Sequence, residues 1–458
     1  LKKIIGILLV IFLIITVIPN TLYSAYNIDY LNGGWIEECD GVIILHQSGS
    51  HYQMGYQHGY YLREEIKENI RAVKTFNEKR GYNFDWLFNK WLLMEPFIPI
   101  KYISEINGIA DGADISFKDI ACFYMSFQLN GLMDCFGIVA WGKATKNGDI
   151  IHARSFDQHS SIVDPITGKR MMENSIIIVR KPINGFYSIN PTIAGRMNGG
   201  GGFNSVGIAF GNMISWSRDQ TYNGINFIIR GQEILDYSKS IQEAIKIIKK
   251  NKSFGLNYIL SDSKTPIAYV IELSANMYYI GTLNNPIEST YPFKEIEYVL
   301  LRTNFFINPE LAASQRNKYY QGGLIGFIGL LLISLNEYYL NIELEKDIIN
   351  SIPFYSIFRN YKIIGKEIER NYGNLNLSNT LYSLRNVYSG RKDPILRIMS
   401  IFGKGHGFLE SCNQWSANPK TGDILISFAK NDILAQFNEI HHFNLFKLLK
   451  TKPQFKYL

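Results

Sequence analysis

Residues 131–157, GLMDCFGIVAWGKATKNGDIIHARSFD, constrain this chain more than any other stretch. Cys135 opens an apolar, β-prone run, Lys146-Asn147-Gly148-Asp149 interrupts it, and a second β-prone run follows. Asn-Gly between two such runs is the strongest short-range hairpin signal, because both central positions of the tightest turn need φ > 0. The expectation is a cysteine at the start of a strand, a tight turn at Asn147-Gly148, and a return strand carrying Arg154 and Asp157. A strand that serves packing alone rarely holds both charges three residues apart. The three residues together read as a nucleophile hairpin, with the rest of the chain supplying partners. The plainer reading is a buried cysteine beside a strand ion pair.

These residues resemble a known family. Asp134-Cys135-Phe136-Gly137, residues 140–145, Asn147-Gly148-Asp149 and His152-Ala153-Arg154-Ser155-Phe156-Asp157 are similar to the start of the catalytic chain in the penicillin acyltransferase-type N-terminal-nucleophile hydrolases. Relatives of that family are bile-salt hydrolases, penicillin V acylase, acid ceramidase and N-acylethanolamine amidase. The likeness recurs in pieces over residues 40–445. Gly55 and Gly59 resemble the opening of the family's first helix, and residues 106–116 its approach to the nucleophile. Asn204, Gly207 and the strand ending at Asn212 resemble its Asn-x-x-Gly turn and strand. Thr303-Asn304 matches a Thr-Asn-(His)-Phe segment, with Phe305 where histidine is common. Ser314-Gln315-Arg316 looks like a shortened Ser-x-x-Arg region, and residues 412–428 like the final hairpin.

The resemblance implies an α+β fold, a four-layer αββα sandwich behind a helical N-terminal pro-segment. It implies an inactive precursor that cuts itself between Asp134 and Cys135, after which the freed cysteine attacks amides or carries acyl groups. Many relatives have glycine before the cysteine, where this chain has Asp134. The division expected is 26–134 as pro-segment or small chain and 135–458 as catalytic chain, with a helical insertion at about 320–400.

The N-terminus reads as a targeting segment. Lys2-Lys3 precede an apolar run over residues 4–18, ended by Pro19. That is the length of a signal-peptide core and short for a membrane span. Residues 1–25 are therefore a signal peptide or an uncleaved anchor, and the body of the protein is expected to be secreted or extracytoplasmic. Residues 322–335 form a second apolar run, read as a buried or interfacial helix.

Composition narrows the classes. The chain has 458 residues, 46% of them hydrophobic and 19% charged, which describes a folded protein with a sizeable core. The net charge of +7 is scattered, so nucleic acid is not an expected partner. Cysteines 39, 122, 135 and 412 are too few and too dispersed for a disulfide scaffold or a zinc site. His51 and His58 lack a carboxylate partner at ligand spacing, and no metal or cofactor is expected. The four glycines at 199–202 lack the lysine and hydroxyl of a phosphate loop. The 29 tyrosines and 28 phenylalanines suit an aromatic core with room for an apolar acyl pocket.

Along the chain, helices are expected at 62–79, 84–94, 100–113, 117–130 and 240–250. Residue 240 is the serine cap of the last, with glutamate three residues on. Strands are expected at 41–45, 175–180, 185–189, 191–195, through 204–212, and as a hairpin at 257–260 and 267–273. Residues 336–400 are helix-like and carry no chemical signal.

Amide hydrolysis needs an activated nucleophile, an oxyanion site and a proton donor for the leaving amine. Cys135 would supply the thiolate. Once freed, its own α-amino group, with a pKa near 8, can take the thiol proton and return it to the amine. Arg154 would favour the thiolate by its charge, and Asp157 would hold the amino group. Asn212 and Asn304 would donate to the oxyanion. Asn204 and Arg316 are candidate substrate-binding residues. The expected function is hydrolysis or acyl transfer at linear amide bonds of small N-acyl substrates through a thioester. Two alternatives stand beside it: a phospholipase B-like esterase on the same fold, and a non-catalytic secreted binding protein.

Overall fold

The structure is a computed structural model that describes residues 30–129, 135–290, 293, 295–316, 355–388 and 410–453. The targeting segment, Asp134 and the apolar run at 322–335 lie outside the described residues.

The first part of the chain runs β1 (Trp35–Cys39), β2 (Val42–Gly49), α1 (His51–Tyr61), α2 (Arg63–Glu78), α3 (Phe84–Met94), α4 (Ile100–Ala113) and α5 (Phe117–Leu129). Then come β3 (Cys135–Gly142), β4 (Gly148–Gln158), β5 (Ser175–Pro182), β6 (Ser188–Ile193), β7 (Gly201–Asn204) and β8 (Ile208–Ile214). Two helices follow, α6 (Phe227–Tyr237) and α7 (Ile241–Lys249), and then β9 (Leu256–Asp262), β10 (Ile267–Leu273), β11 (Tyr278–Gly281) and β12 (Val299–Arg302). The described remainder is α8 (Pro309–Ser314), α9 (Tyr355–Arg370), α10 (Leu377–Arg385), β13 (Glu410–Asn418), β14 (Asp423–Phe428), β15 (His441–Asn444) and α11 (Leu445–Leu448).

The strands form two sheets. One has nine strands in the order β1-β2-β5-β6-β7-β8-β9-β10-β11, the other six in the order β12-β3-β4-β13-β14-β15. They pack face to face: a Cβ built on Gly137 of β3 would lie 3.2 Å from Ile259 of β9 and 3.4 Å from Met213 of β8. Apolar residues of both inner faces meet, Ile44, Ile177 and Phe203 from the larger sheet with Trp415, Ile424 and Phe428 from the smaller. On the outer face of the smaller sheet, Phe136, Ile138 and Ala153 pack on Phe358, Ile364 and Leu381 of α9 and α10. The remaining long helices cover the larger sheet. The result is an α+β, four-layer αββα sandwich. β3 is buried on both sides, which explains its almost unbroken apolar run.

The segment before Cys135 is mainly helical but also enters the larger sheet. β2 runs parallel to β5, with Ile44 opposite Ile177, so the segment before Cys135 contributes two strands to the nine-stranded sheet. Its first helix is fixed by a capping box between Ser50 and Gln53. α1 and α4 then cross through glycines on both sides. A Cβ at Gly55 or Gly59 would lie 2.0 or 2.2 Å from a carbonyl of α4, and one at Gly108 or Gly112 would lie 2.3 Å from a carbonyl of α1. Only glycine allows backbones this close.

Two local expectations need correction. The β3–β4 connection is not a two-residue Asn-Gly turn. Gly142 pairs with Gly148, both have positive φ (56° and 75°), and the loop spans residues 143–147 with a register shift before it. Thr145 closes this longer loop by donating to the carbonyls of Gly142 and Asp149. Residues 185–195 hold one strand, Ser188–Ile193, where the sequence suggests two. Pro191 lies within it, opposite Ile177.

Candidate active site

The site lies where β3 and β4 face the larger sheet. Cys135 pairs with Phe156, and Gly137 with Arg154. Side chains alternate along a strand, so Cys135, Arg154 and Phe156 point inward, toward β8. Cys135 is 2% exposed, and Arg154 Nη2 donates to its sulfur at 3.6 Å. Arg154 is fixed by two further bonds, Nε to the Asn212 carbonyl at 2.9 Å and Nη1 to the Gly199 carbonyl at 3.1 Å. Burial pulls the Arg154 pKa down, opposed by the nearby Cys135 thiol and Asp157 carboxylate.

The glycine run at 199–202 shapes this wall. A Cβ at Gly200, whose φ is +88°, would lie 2.5 Å from Asn212 Oδ1 and 2.9 Å from Arg154 Nη2. The glycines thus let backbone approach the arginine and the asparagine.

Asn304 binds the nucleophile's own backbone. The Cys135 N–H donates to Asn304 Oδ1 at 2.5 Å, and Asn304 Nδ2 donates to the Ile214 carbonyl at 2.6 Å. Turning the amide over would set donor against donor and acceptor against acceptor, so this orientation is determined. Asn304 therefore accepts from Cys135, and one of its two amide hydrogens is already committed. Asn257 steadies this segment by donating to the carbonyls of Thr303 and Phe305, both at 2.7 Å. Asn212 is different: its buried Nδ2 faces the buried Tyr258 hydroxyl, its side-chain partner, in a contact short of full hydrogen-bond geometry. Buried donors are normally well satisfied, so an amide held this loosely beside the nucleophile's arginine has capacity left for a better acceptor.

Asp157 follows Phe156 and projects to the opposite face of the sheet from Arg154, because a spacing of three reverses the side. Ser155 Oγ donates to its carboxylate at 2.6 Å, and the Tyr388 hydroxyl donates to its other oxygen. Burial pushes its pKa up to about 6, held back by the Ser155, Tyr388 and Ser411 hydroxyls and by Arg154. In the uncut chain the Cys135 nitrogen has Asn304, rather than Asp157, as its side-chain partner.

The other expected residues have other contacts. Asn204 spends its side chain on structure: Nδ2 donates to the carbonyls of Leu235 and Ser238, and Oδ1 accepts from Ile208 N. It ties the β7–β8 turn to the end of α6. Arg316 donates from Nη2 to Gln220 Oε1 at 2.7 Å and lies against Trp216. His51 binds Glu105, and His58 accepts from Gly195 N. Cys122 is a buried thiol, and its pKa is pushed up to about 12 by burial.

Sequence reasoning misses three participants. Tyr388 stands in the stretch without chemical signal, and nothing local marks it. Ser155 reads as part of a motif without a role. Arg196 follows Gly195, whose φ of 92° forms a tight turn, and that turn carries the guanidinium into the interior.

Comparison with known proteins finds a family model that matches part of the chain. The family model described as acyl-coenzyme A:6-aminopenicillanic acid acyl-transferase matches residues 144–322. Over that stretch the chain is similar to the penicillin acyltransferase-type family. The match takes in Arg154, Asp157, Asn204, Asn212, Asn304 and Arg316, and starts after Cys135. An uncharacterized protein of Archaeoglobus fulgidus is 23% identical over 53% of this chain and 45% of its own length. Protein dcd1B of Dictyostelium discoideum is 24% identical over 57% of this chain and 58% of its own. The chain thus spans about half the length of the curated relatives it matches. Among solved structures, a mutant of the conjugated bile acid hydrolase of Clostridium perfringens is 14% identical, with a TM-score of 0.34 over 68% of this chain and 93% of that one. The Caenorhabditis elegans ortholog of N-acylethanolamine-hydrolyzing acid amidase is 12% identical, with a TM-score of 0.35 over 67% and 100%. Penicillin V acylase of Agrobacterium tumefaciens is 14% identical, with a TM-score of 0.35 over 68% and 91%.

Proposed function

We propose that this chain is the precursor of a self-processing cysteine hydrolase or acyltransferase that acts on linear, non-peptide amide bonds of small N-acyl substrates. One observation carries the reading: the two reacting atoms of Cys135 are gripped separately, sulfur by Arg154 and nitrogen by Asn304. A merely buried cysteine has no use for an acceptor on its peptide nitrogen and a guanidinium on its thiol at once.

In the uncut chain the Cys135 nitrogen is an amide and cannot act as a base. Cutting the bond from Asp134 turns it into an amine with a pKa near 8. The amine takes the thiol proton while Arg154 stabilises the thiolate, and the thiolate attacks the substrate carbonyl. Asn304 Oδ1, already an acceptor for this nitrogen, keeps one N–H and so aims the lone pair. Asp157, one residue past the register partner of Cys135, is the nearby carboxylate that steadies the protonated amine. The Asn212 amide, held only loosely by the Tyr258 hydroxyl, donates to the oxyanion, with the second hydrogen of Asn304 Nδ2 as its companion. The protonated amine gives its proton to the leaving group, and water or an acceptor amine releases the acyl group from the thioester.

The work of Asn304 in this scheme is first positioning and second oxyanion binding. Export by the N-terminal segment, with membrane attachment if it stays uncut, is part of the same proposal. The test is incubation of the purified protein with medium-chain N-acyl amides, trapping the acyl group by mass spectrometry after acid quench. An acyl adduct on Cys135 and product release would support the reading. Labelling of the free thiol without any acyl adduct or turnover across amides, with lipid esters turned over instead, would favour the esterase.

A further inference from the structure

Residues 355–388 lie beyond the stretch that matches the family model, and no sequence motif marks them for chemistry. They nevertheless bring one side chain to the candidate site. The Tyr388 hydroxyl donates to Asp157 Oδ2, and Ser155 Oγ donates to Oδ1 at 2.6 Å. Asp157 is fully buried, and Arg154, the cation that bears on it, points to the other face of the sheet. Neutral hydroxyls hold a carboxylate without cancelling its charge, whereas a lysine or arginine partner would cancel it. The two bonds also use only about half of the acceptor capacity of the group. At neutral pH Asp157 therefore keeps charge and lone pairs to spare, which suits a carboxylate that must meet a second cation.

Tyr388 is fixed where it stands. Its ring packs on Phe136 with the centroids 5.9 Å apart. Phe136 pairs with Ser155 and so lies on the same outer face of the smaller sheet as Ser155 and Asp157. The Tyr388 N–H continues the last turn of α10 by donating to the Arg385 carbonyl at 3.0 Å. Arg385 in turn clamps the chain after β14: Nε donates to the Gln436 carbonyl at 2.8 Å and Nη2 to the Asn438 carbonyl at 2.5 Å. Gln436 Oε1 accepts from Ser411 N, and Ser411 pairs with Asp157 across β13 and β4. One loop thus ties the tyrosine to the strand that flanks the carboxylate. Among the described residues, the charged and titratable groups that bear on Asp157 are Arg154 of its own strand and Tyr388. From the neighbouring strands, β13 supplies the uncharged Ser411, and Cys135 of β3 lies one residue away in register.

We infer that Tyr388 is a positioning residue for the proposed reaction: it holds the Asp157 carboxylate as an oriented anion for the new amine of Cys135, and so makes the helical layer at 355–388 part of the active site. This rests on the reading of Cys135 as nucleophile, so the experiment has one arm that needs no turnover. Tyr388→Phe keeps the ring on Phe136 and removes one donor from the anion, so the Asp157 pKa should move up from about 6 by about one pH unit. In the Cys135→Ala chain this is read as the pH at which stability in urea stops falling. The folded value lies above the unfolded one, so stability falls with rising pH and levels off once the folded value is passed. The level stretch should begin about one pH unit higher in Tyr388→Phe. Ortho-fluorotyrosine in place of Tyr388, a stronger donor of nearly the same shape, should move it lower, and decides the matter if phenylalanine prevents folding. In the active Cys135 protein, the rising limb of kcat/KM for an N-acyl amide should move up by the same interval in Tyr388→Phe. An even loss of stability at every pH, with the level stretch unmoved, marks a packing role and overturns the inference. So does a rising limb that stays in place while turnover persists. A moved level stretch in a protein that neither cuts itself nor turns over amides would uphold the grip on Asp157 and sink the nucleophile reading alone.

Discussion

Asp157→Asn, made in the Cys135→Ala background to keep the chain in one piece, should stabilise the protein near neutral pH and remove part of its pH dependence. Burial raises the Asp157 pKa from its ordinary value of 3.8 to about 6. Between these values the folded chain holds a proton that the unfolded chain has lost, so stability falls as pH rises from about 4 to about 6 and stays flat above. At about 1.4 kcal/mol per pH unit, the loss is about 3 kcal/mol. Asparagine does not ionise and escapes it. The Ser155 or Tyr388 hydroxyl must turn to accept from the new amide, so a net gain of about 1–3 kcal/mol at pH 7 is expected, and little at pH 4. Buried histidines act with the opposite sign: burial holds His58 and His152 down to about 3 and His159 to about 4. The stability they lend is present above about pH 6.5 and lost in acid, and it cancels between the two proteins. Urea unfolding of both proteins at pH 4 and pH 7 reads the difference. An Asp157→Asn effect of the same size at both pH values would refute the buried, ionised carboxylate and its role beside the amine.

Three further outcomes test other parts of the account. Asn212→Ala should lower kcat by about 100- to 1000-fold with little change in KM, read by steady-state kinetics on an N-acyl amide, because it removes a donor to the oxyanion. Gly59→Ala should destabilise by about 1–3 kcal/mol or more, since its Cβ would lie 2.2 Å from the Ile109 carbonyl. Gly365→Ala, within α9 and with nothing in 4 Å among the described residues, should stabilise by about 0.5–1 kcal/mol in the same urea melts.

What the sequence makes legible follows physical range. Phe84–Met94 and Ile100–Ala113 match their expected bounds because apolar periodicity is local. The Ser240 cap is also local: its hydroxyl accepts from Glu243 N, although the Glu243 carboxylate reaches Lys239 N instead of closing a box on Ser240. The hairpin carrying Cys135 and Arg154 is legible for the same reason, while its loop length is not. Thr145 fixes that loop together with Leu375, which lies far along the chain. The pairing of β2 with β5 joins residues on either side of Cys135, and alternation within one strand does not announce it. The orientation of Asn304 is decided by Cys135 and Ile214, two backbone groups brought together only by the sandwich. Arg196 and Tyr388 owe their significance to burial and neighbours, which no local pattern encodes.

The central claim is that this chain cuts itself before Cys135, and the intact mass of purified protein tests it most directly. Under denaturing conditions the 52.5 kDa wild-type chain should give two pieces of roughly 15 and 37 kDa, scaled by length, less any N-terminal segment removed on export. Cys135→Ala should give one chain. Under native conditions the two wild-type pieces should run as one species, because β2 of the first is paired to β5 of the second. A single unbroken wild-type chain, purified alongside the variant, would contradict the N-terminal-amine mechanism.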